Sequence, residues 1–170
     1  TLIAGPVKLP PPAGVEIVSV VSARQMQEAM LGRFTDADVV IKAAAVSDYR
    51  PLSRQHQKMK KKSAVLSLEL EKTPDILAEL GHRKEHQILV GFAAETENLL
   101  EHATQKLVSK NLDMVVANDV SVPGAGFDVD TNIVRFIYRD GEVESLELMS
   151  KTAVANQLLD RIYPLWKKTS

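Results

Sequence analysis

The sequence has 170 residues, 45% of them hydrophobic and 25% charged. That length fits one domain of ordinary size with a full core, and the composition excludes disorder, collagen and coiled coil as descriptions of the whole chain. Lys and Arg number 21 against 22 Asp and Glu, a net charge of −1, which argues against a nucleic-acid binder relying on bulk positive charge. The absence of cysteine excludes a disulfide framework, a thiolate metal site and a cysteine nucleophile. It fits a reducing cytoplasm, the expected location. No apolar run nears the roughly 20 residues of a membrane helix, and residues 1–4 lack the basic flank of a signal peptide.

In chain order, residues 1–4 read as a short strand ended by Gly5-Pro6, and Pro10, Pro11 and Pro12 force an extended loop. Residues 15–21, rich in Val and Ile, predict a strand. Ser22 is a cap for a helix with Met26, Ala29, Met30 and Phe34 at helical spacing. The nearly continuous apolar run 39–46 predicts a strand buried on both faces. Residues 47–63 are polar and lysine-rich, a loop; 65–70 alternate as a strand does. Thr73-Pro74-Asp75 has the composition of a helix start, and that helix should end near Gly81. Residues 87–94 predict a buried strand. Residues 97–110 predict a helix with Leu100, Ala103, Leu107 and Val108 inward, and 112–117 another strand. Strands at 132–138 and 143–148 flank Asp140-Gly141, a hairpin signal. Ser150 caps a last helix to about Tyr163, and residues 167–170 should fray. The alternation implies a three-layer α/β domain with a mostly parallel, Rossmann-like sheet and a C-terminal antiparallel hairpin at one edge.

Three predicted strands end in polar residues: Ser47-Asp48-Tyr49, Glu95-Thr96 and Asn118-Asp119. In open α/β sheets ligands bind outside the carboxyl ends of strands, so these groups converge on one crevice. Lys58, Lys60, Lys61 and Lys62 crowd four ammonium groups into five residues. A solvated loop and a phosphate clamp explain that run about equally. Lys106 and Lys110 share a helix face, and the positions four residues upstream hold His102 and Lys106 rather than acids. They complement the macrodipole or face an anion. The helix start at Pro74, Asp75, Ile76 and Leu77 offers free N–H groups for a phosphate or a base edge. His56, His82, His86 and His102 lack ligand spacing and read as surface residues, so no metal site is expected on the protein. Neither G-x-G-x-x-G nor G-x-x-x-x-G-K-[ST] occurs.

Six segments in order and at matching spacing resemble bacterial phosphopantothenoylcysteine synthetase. They are Ala43-Ala44-Ala45-Val46-Ser47-Asp48-Tyr49, Lys58-Met59-Lys60-Lys61, Lys72-Thr73-Pro74-Asp75-Ile76-Leu77, Gly91-Phe92-Ala93-Ala94-Glu95-Thr96, Lys110-Asn111-Leu112-Asp113 and Ala117-Asn118-Asp119-Val120. The resemblance implies a CTP-dependent ligase of coenzyme A biosynthesis. It joins 4′-phosphopantothenate to L-cysteine through an acyl-cytidylate, with release of pyrophosphate and then CMP. Mg²⁺ is expected with the triphosphate. FMN is expected only on a fused or associated decarboxylase domain.

Carried over by residue, the resemblance sets Lys42, Ala43 and Ala44 against the nucleotide through backbone contacts, with Asp48 beside it. Lys58 serves the triphosphate and the activation step, as the catalytic residue. Pro74, Asp75, Ile76 and Leu77 meet the cytosine edge through the helix start. Phe92 packs on the nucleoside, Lys106 and Lys110 face phosphate or ribose, and Asn118 lies on the substrate side. The chain begins at what resembles the family's second strand. Residues 1–170 are therefore expected to be one synthetase domain lacking the family's first strand, its Asn-bearing loop and a helix. A homodimer is implied, with the lysine-rich loop reaching towards the partner; Ile133, Val134, Phe136 and Ile137 are edge candidates that serve equally as core. The competing readings are a non-catalytic nucleotide-binding or dimerisation fragment, and a nicotinamide-dependent oxidoreductase, which the absent glycine fingerprint disfavours.

Overall fold

The computed structural model describes residues 1–53, 57, 67–95, 98–122, 126 and 129–169. The lysine run at 58–62 and Thr96 lie outside them. In chain order come β1 (Leu2–Ala4), β2 (Ile17–Ser19), α1 (Ala23–Phe34), β3 (Val39–Lys42), β4 (Tyr49–Pro51) and β5 (Leu70–Lys72). Then follow α2 (Ile76–Arg83), β6 (Ile88–Glu95), α3 (Leu99–Ser109) and β7 (Met114–Asp119). Last come β8 (Thr131–Asn132), β9 (Val134–Tyr138), β10 (Val143–Ser145), β11 (Met149–Ser150) and α4 (Lys151–Thr169). The chain divides into two compact units: Thr1–Met30 with Ala45–Asp75, and Leu31–Ala44 with Ile76–Ser170.

In the first unit β1 and β2 pair in parallel, Leu2 opposite Ile17. Ser22 caps α1 reciprocally. Its Oγ accepts the Gln25 N–H at 3.2 Å, while Gln25 Oε1 accepts the Val21 N–H at 2.9 Å. β4 and β5 form an antiparallel ribbon with Arg50 opposite Glu71, joined by an ion pair at 2.7 Å. Two expectations change here. The stretch read as loop from residue 47 opens with β4. Of the strand placed at 65–70, residues 65 and 66 lie outside the described residues, 67–69 are not strand, and Leu70 opens β5 by pairing with residues 49–51.

The second unit holds a five-stranded sheet in the order β10-β9-β7-β6-β3. β3, β6 and β7 are parallel; β9 and β10 add the antiparallel hairpin. Strand alternation sorts its side chains to two faces. Ile88, Val90, Met114, Val116, Val134 and Phe136 pack on Val154, Leu158 and Ile162 of α4. The opposite face is close to α2 and α3. A Cβ on Gly91 would meet Leu77 Cδ2 at 2.8 Å and Leu112 Cδ1 at 2.9 Å. The result is the expected α/β layering, helix–sheet–helix.

The differences have local causes. β3 is an edge strand of the sheet rather than one buried on both faces: it ends at Lys42, and Ile41 is 39% exposed. In α3, Ala103 and Leu107 are buried, but Leu100 and Val108 are 41% and 75% exposed, so the apolar stripe is narrower than spacing suggests. Val134, Phe136 and Ile137 are fully buried core, which removes them as interface candidates. The Ser150 hydroxyl accepts the Ala153 N–H at 3.1 Å, capping α4. That helix continues through Pro164 to Thr169, so residues 167–169 are part of it. α2 likewise runs past Gly81 to Arg83. Gly81 is there for closeness: a Cβ would stand 1.9 Å from the Lys110 carbonyl oxygen. Among the described residues no helix is long and apolar enough to cross a membrane.

Candidate functional site

The carboxyl ends of β3, β6 and β7 share one edge of the second unit, and register defines its shape. Lys42, the last residue of β3, lies opposite Gly91. β6 runs on four residues further, pairing Ala94 with Asn118 and Glu95 with Asp119 on β7 alone. The result is a step. The Ile88 N–H points to the β3 side, donating to the Asp38 carbonyl at 2.8 Å, whereas that of Leu89 points to the β7 side, donating to Asp113 Oδ2. By alternation the backbone groups of Ala94 face the β3 side, past the end of that strand.

Sequence-predicted residues from all three strands lie at this step. Phe92 is half-buried against the α4-facing core. Its carbonyl accepts from Lys106 Nζ at 2.6 Å, which ties α3 to β6. Asn118, next to last on β7 and opposite both Ala94 and Val134, is only 8% exposed. Its Oδ1 is buried with no hydrogen-bond partner among the described residues. A buried acceptor left unmatched costs about 1–3 kcal/mol, and no described residue offsets that cost here. At the end of β3, Lys42 Nζ folds back on the Ala44 carbonyl at 2.9 Å, and Ala43 and Ala44 are exposed.

Asp119 follows Asn118. Its Oδ1 accepts the Ser121 hydroxyl at 2.5 Å and the Ser121 N–H at 3.1 Å. Those bonds, aided by the Arg135 charge and opposed by slight burial, hold its carboxyl below the usual range, so it stays ionised at neutral pH. Among the described residues no group of three His, Asp or Glu side chains could hold a metal ion.

Other predicted residues do not belong to these strand ends. Ile76 and Leu77 are buried side chains, leaving only their backbone available. Lys110 caps the end of α3 that leads into the start of β7, whereas Asn118 lies near the end of that strand. The two backbones are thus about a strand length apart and are not brought together. Asp48, Pro74 and Asp75 belong to the first unit and are exposed. There the Asp48 carbonyl accepts the Thr73 N–H at 2.9 Å, and the Thr73 hydroxyl donates to the Ser47 carbonyl. Lys58 lies outside the described residues. Sequence reasoning missed the close approaches at Gly81 and Gly91 and the carbonyl held by Lys106. A glycine inside a helical or strand pattern is the signal that points to the first two.

Comparison with known proteins is consistent along the whole chain. The model of the DNA/pantothenate metabolism flavoprotein C-terminal domain matches residues 1–165. The coenzyme A biosynthesis bifunctional protein CoaBC of Bacillus subtilis is 49% identical over 169 residues, 99% of this chain and 42% of that protein. Its counterpart in Escherichia coli is 40% identical over 166 residues, 95% of this chain and 41% of that one. The chain thus spans less than half the length of these relatives. A crystal structure of the C-terminal domain of a CoaBC protein superposes with a TM-score of 0.81 at 43% identity, covering 98% of this chain and 74% of that one. The flavoprotein of that name from Streptococcus pneumoniae shares the fold at 22% identity and a TM-score of 0.79, over 96% of this chain and 80% of that one. The chain belongs to the DNA/pantothenate metabolism flavoprotein C-terminal domain family.

Proposed function

We propose that this chain carries the synthetase activity of coenzyme A biosynthesis, ligating 4′-phosphopantothenate to L-cysteine at the expense of CTP. The observation that carries the reading is its likeness, over 99% of its length, to a coenzyme A biosynthesis bifunctional protein. The buried Oδ1 of Asn118 at the strand ends, without a partner among the described residues, supports it at the residue scale.

The reaction has two steps. The phosphopantothenate carboxylate attacks the α-phosphorus of CTP, forming the acyl-cytidylate and expelling pyrophosphate. The cysteine amine then attacks the acyl carbon, and CMP leaves with the bonding electrons while the amine loses a proton. Both steps bring anions together, so catalysis consists mainly of holding them and neutralising charge. Mg²⁺ enters with the triphosphate as part of the substrate. Lys58 neutralises the triphosphate as pyrophosphate departs, and Lys42, Asp48, Lys106 and Lys110 set the nucleotide. The exposed backbone of Ala43 and Ala44 and the backbone at residues 74–77 take its polar edges, and Phe92 offers an apolar surface to the nucleoside. Asn118 Oδ1 accepts a hydrogen bond from a substrate donor.

The reading extends to a cytoplasmic homodimer, joined to or associated with a flavin-dependent decarboxylase domain. The β4–β5 ribbon supports self-association. A two-stranded ribbon is marginal by itself in water, and Tyr49, Leu52, Leu68 and Leu70 are all more than half exposed.

The test is calorimetric titration with Mg–CTP and then Mg–ATP, followed by pyrophosphate release with phosphopantothenate and cysteine. The protein is used as its gene encodes it. CTP binding in preference to ATP, with pyrophosphate released only when the acid is present, is expected. CTP binding without pyrophosphate release would leave a nucleotide-binding scaffold, and binding of neither nucleotide would sink the proposal.

A further inference from the structure

Three elements of the second unit meet at the turn between α3 and β7. Asn111 in that turn has φ of +52°, one of two non-glycine residues with positive φ among the described residues. Ending a helix requires only that left-handed backbone, which glycine supplies as well. The Asn111 side chain does more. Its Nδ2 donates to the Gly81 carbonyl of α2 at 2.9 Å, and its Oδ1 accepts from Arg139 Nη1 in the β9–β10 turn at 2.7 Å. Both ends of the amide are occupied, so its orientation is fixed by its partners.

The residue just before it is held as firmly. The Lys110 N–H donates to the Lys106 carbonyl at 3.1 Å. The Lys110 carbonyl oxygen fills the space over Gly81 that a Cβ would need. Past the turn, Leu112 is fully buried and its N–H donates to the Leu107 carbonyl at 2.9 Å. Helix ends commonly fray; this one is anchored on both sides of a single lysine.

We propose that Asn111 is a positioning residue for Lys110, binding α2 and the β9–β10 turn to the end of α3 so that the lysine side chain departs from a fixed point. The inference rests on the reading of Lys110 as a nucleotide contact. A lysine carries large rotamer entropy, and a frayed backbone beneath it would add to what ligand binding must order. The anchored turn removes the backbone share of that cost.

The experiment is calorimetric titration of Mg–CTP into the protein as its gene encodes it, comparing the unsubstituted chain with Lys110→Gln, Asn111→Gly, Arg139→Gln and the Lys110→Gln/Asn111→Gly double variant. Asn111→Gly keeps the left-handed backbone and deletes both side-chain bonds. Kd and stoichiometry separate the possibilities: loss of folded molecules lowers stoichiometry, whereas mispositioning raises Kd. We expect Lys110→Gln and Asn111→Gly each to weaken CTP on the order of tenfold at unchanged stoichiometry. The double variant should be no weaker than Lys110→Gln, since both changes remove one interaction. Additive effects, or reduced stoichiometry with unchanged Kd, would overturn the proposal. Should Asn111→Gly fail to fold, Arg139→Gln carries the same test, with Arg139→Lys expected to recover part of the affinity; no change in Kd for Arg139→Gln then overturns it. If Lys110→Gln binds CTP like the unsubstituted chain, the nucleotide role of Lys110 falls, and this inference with it.

Discussion

Asn118 keeps an acceptor buried without a donor among the described residues, and a buried acceptor left unpaired is costly for folding. Asn118→Ala removes that acceptor and leaves only a small cavity, so it should cut pyrophosphate release while lowering the thermal midpoint only slightly. A lower midpoint with intact turnover would make Asn118 a purely structural residue. Lys58→Gln should also reduce turnover, with little change in stability, because a single lysine charge contributes about 0–1 kcal/mol. Gly81→Ala has the opposite character. A Cβ 1.9 Å from a backbone oxygen cannot be absorbed by a rotamer change, so a loss of about 1–3 kcal/mol is expected in denaturant unfolding. Polarity after a strand made Asn118 legible in the sequence. Its buried oxygen was not, because burial depends on how neighbouring strands pair with β7. Lys106 read as a cation near a helix end; its hold on the Phe92 carbonyl depends on how α3 crosses β6.

Elements were legible wherever the local signal agreed with the packing. The Ser150 cap and the Asp140-Gly141 turn, with φ of +92° at Gly141, appear where the sequence placed them. Ser150→Ala should cost about 1 kcal/mol by loss of the cap. The phase of α3 and the edge position of β3 were not legible, since apolar spacing does not say which neighbours are present. The docking of α4 on the hairpin was also hidden. Arg161 Nε donates to Glu144 Oε2 at 2.6 Å, its Nη2 donates to Oε1, and its guanidinium lies 5.2 Å from the Phe136 ring centre. The Tyr138 hydroxyl donates to Glu144 at 3.3 Å, its proton held by burial and by the carboxylate's charge. The Arg161 bonds hold the Glu144 carboxyl below its usual range despite some burial. The stability this adds is complete above the unfolded carboxyl's pKa and is lost as pH falls through the lower folded value. Glu144→Gln should therefore flatten that part of the acid limb of stability, measured by denaturant unfolding between pH 6 and about 3.

For the whole molecule, the sequence conveyed the parallel sheet and the polar strand ends but not the division into two compact units. That division depends on non-local contacts without a local composition signal. The exposed apolar ribbon is the feature with consequences at this scale, since clustered surface apolar groups mark interaction sites. Leu52→Glu with Leu70→Glu should turn a sedimenting dimer into a monomer; a dimer unmoved by both would place self-association elsewhere. Within the sheet, the unequal lengths of β3 and β6 leave the Ala94 amide beyond the last rung on that side. Its proton should trade for deuterium much faster than those at Ile88 and Val90, which lie within the paired length. A nucleotide seated on the strand ends would slow that trade at Ala94 while leaving the paired rungs as they were, so the step in the sheet doubles as a built-in clock for occupancy.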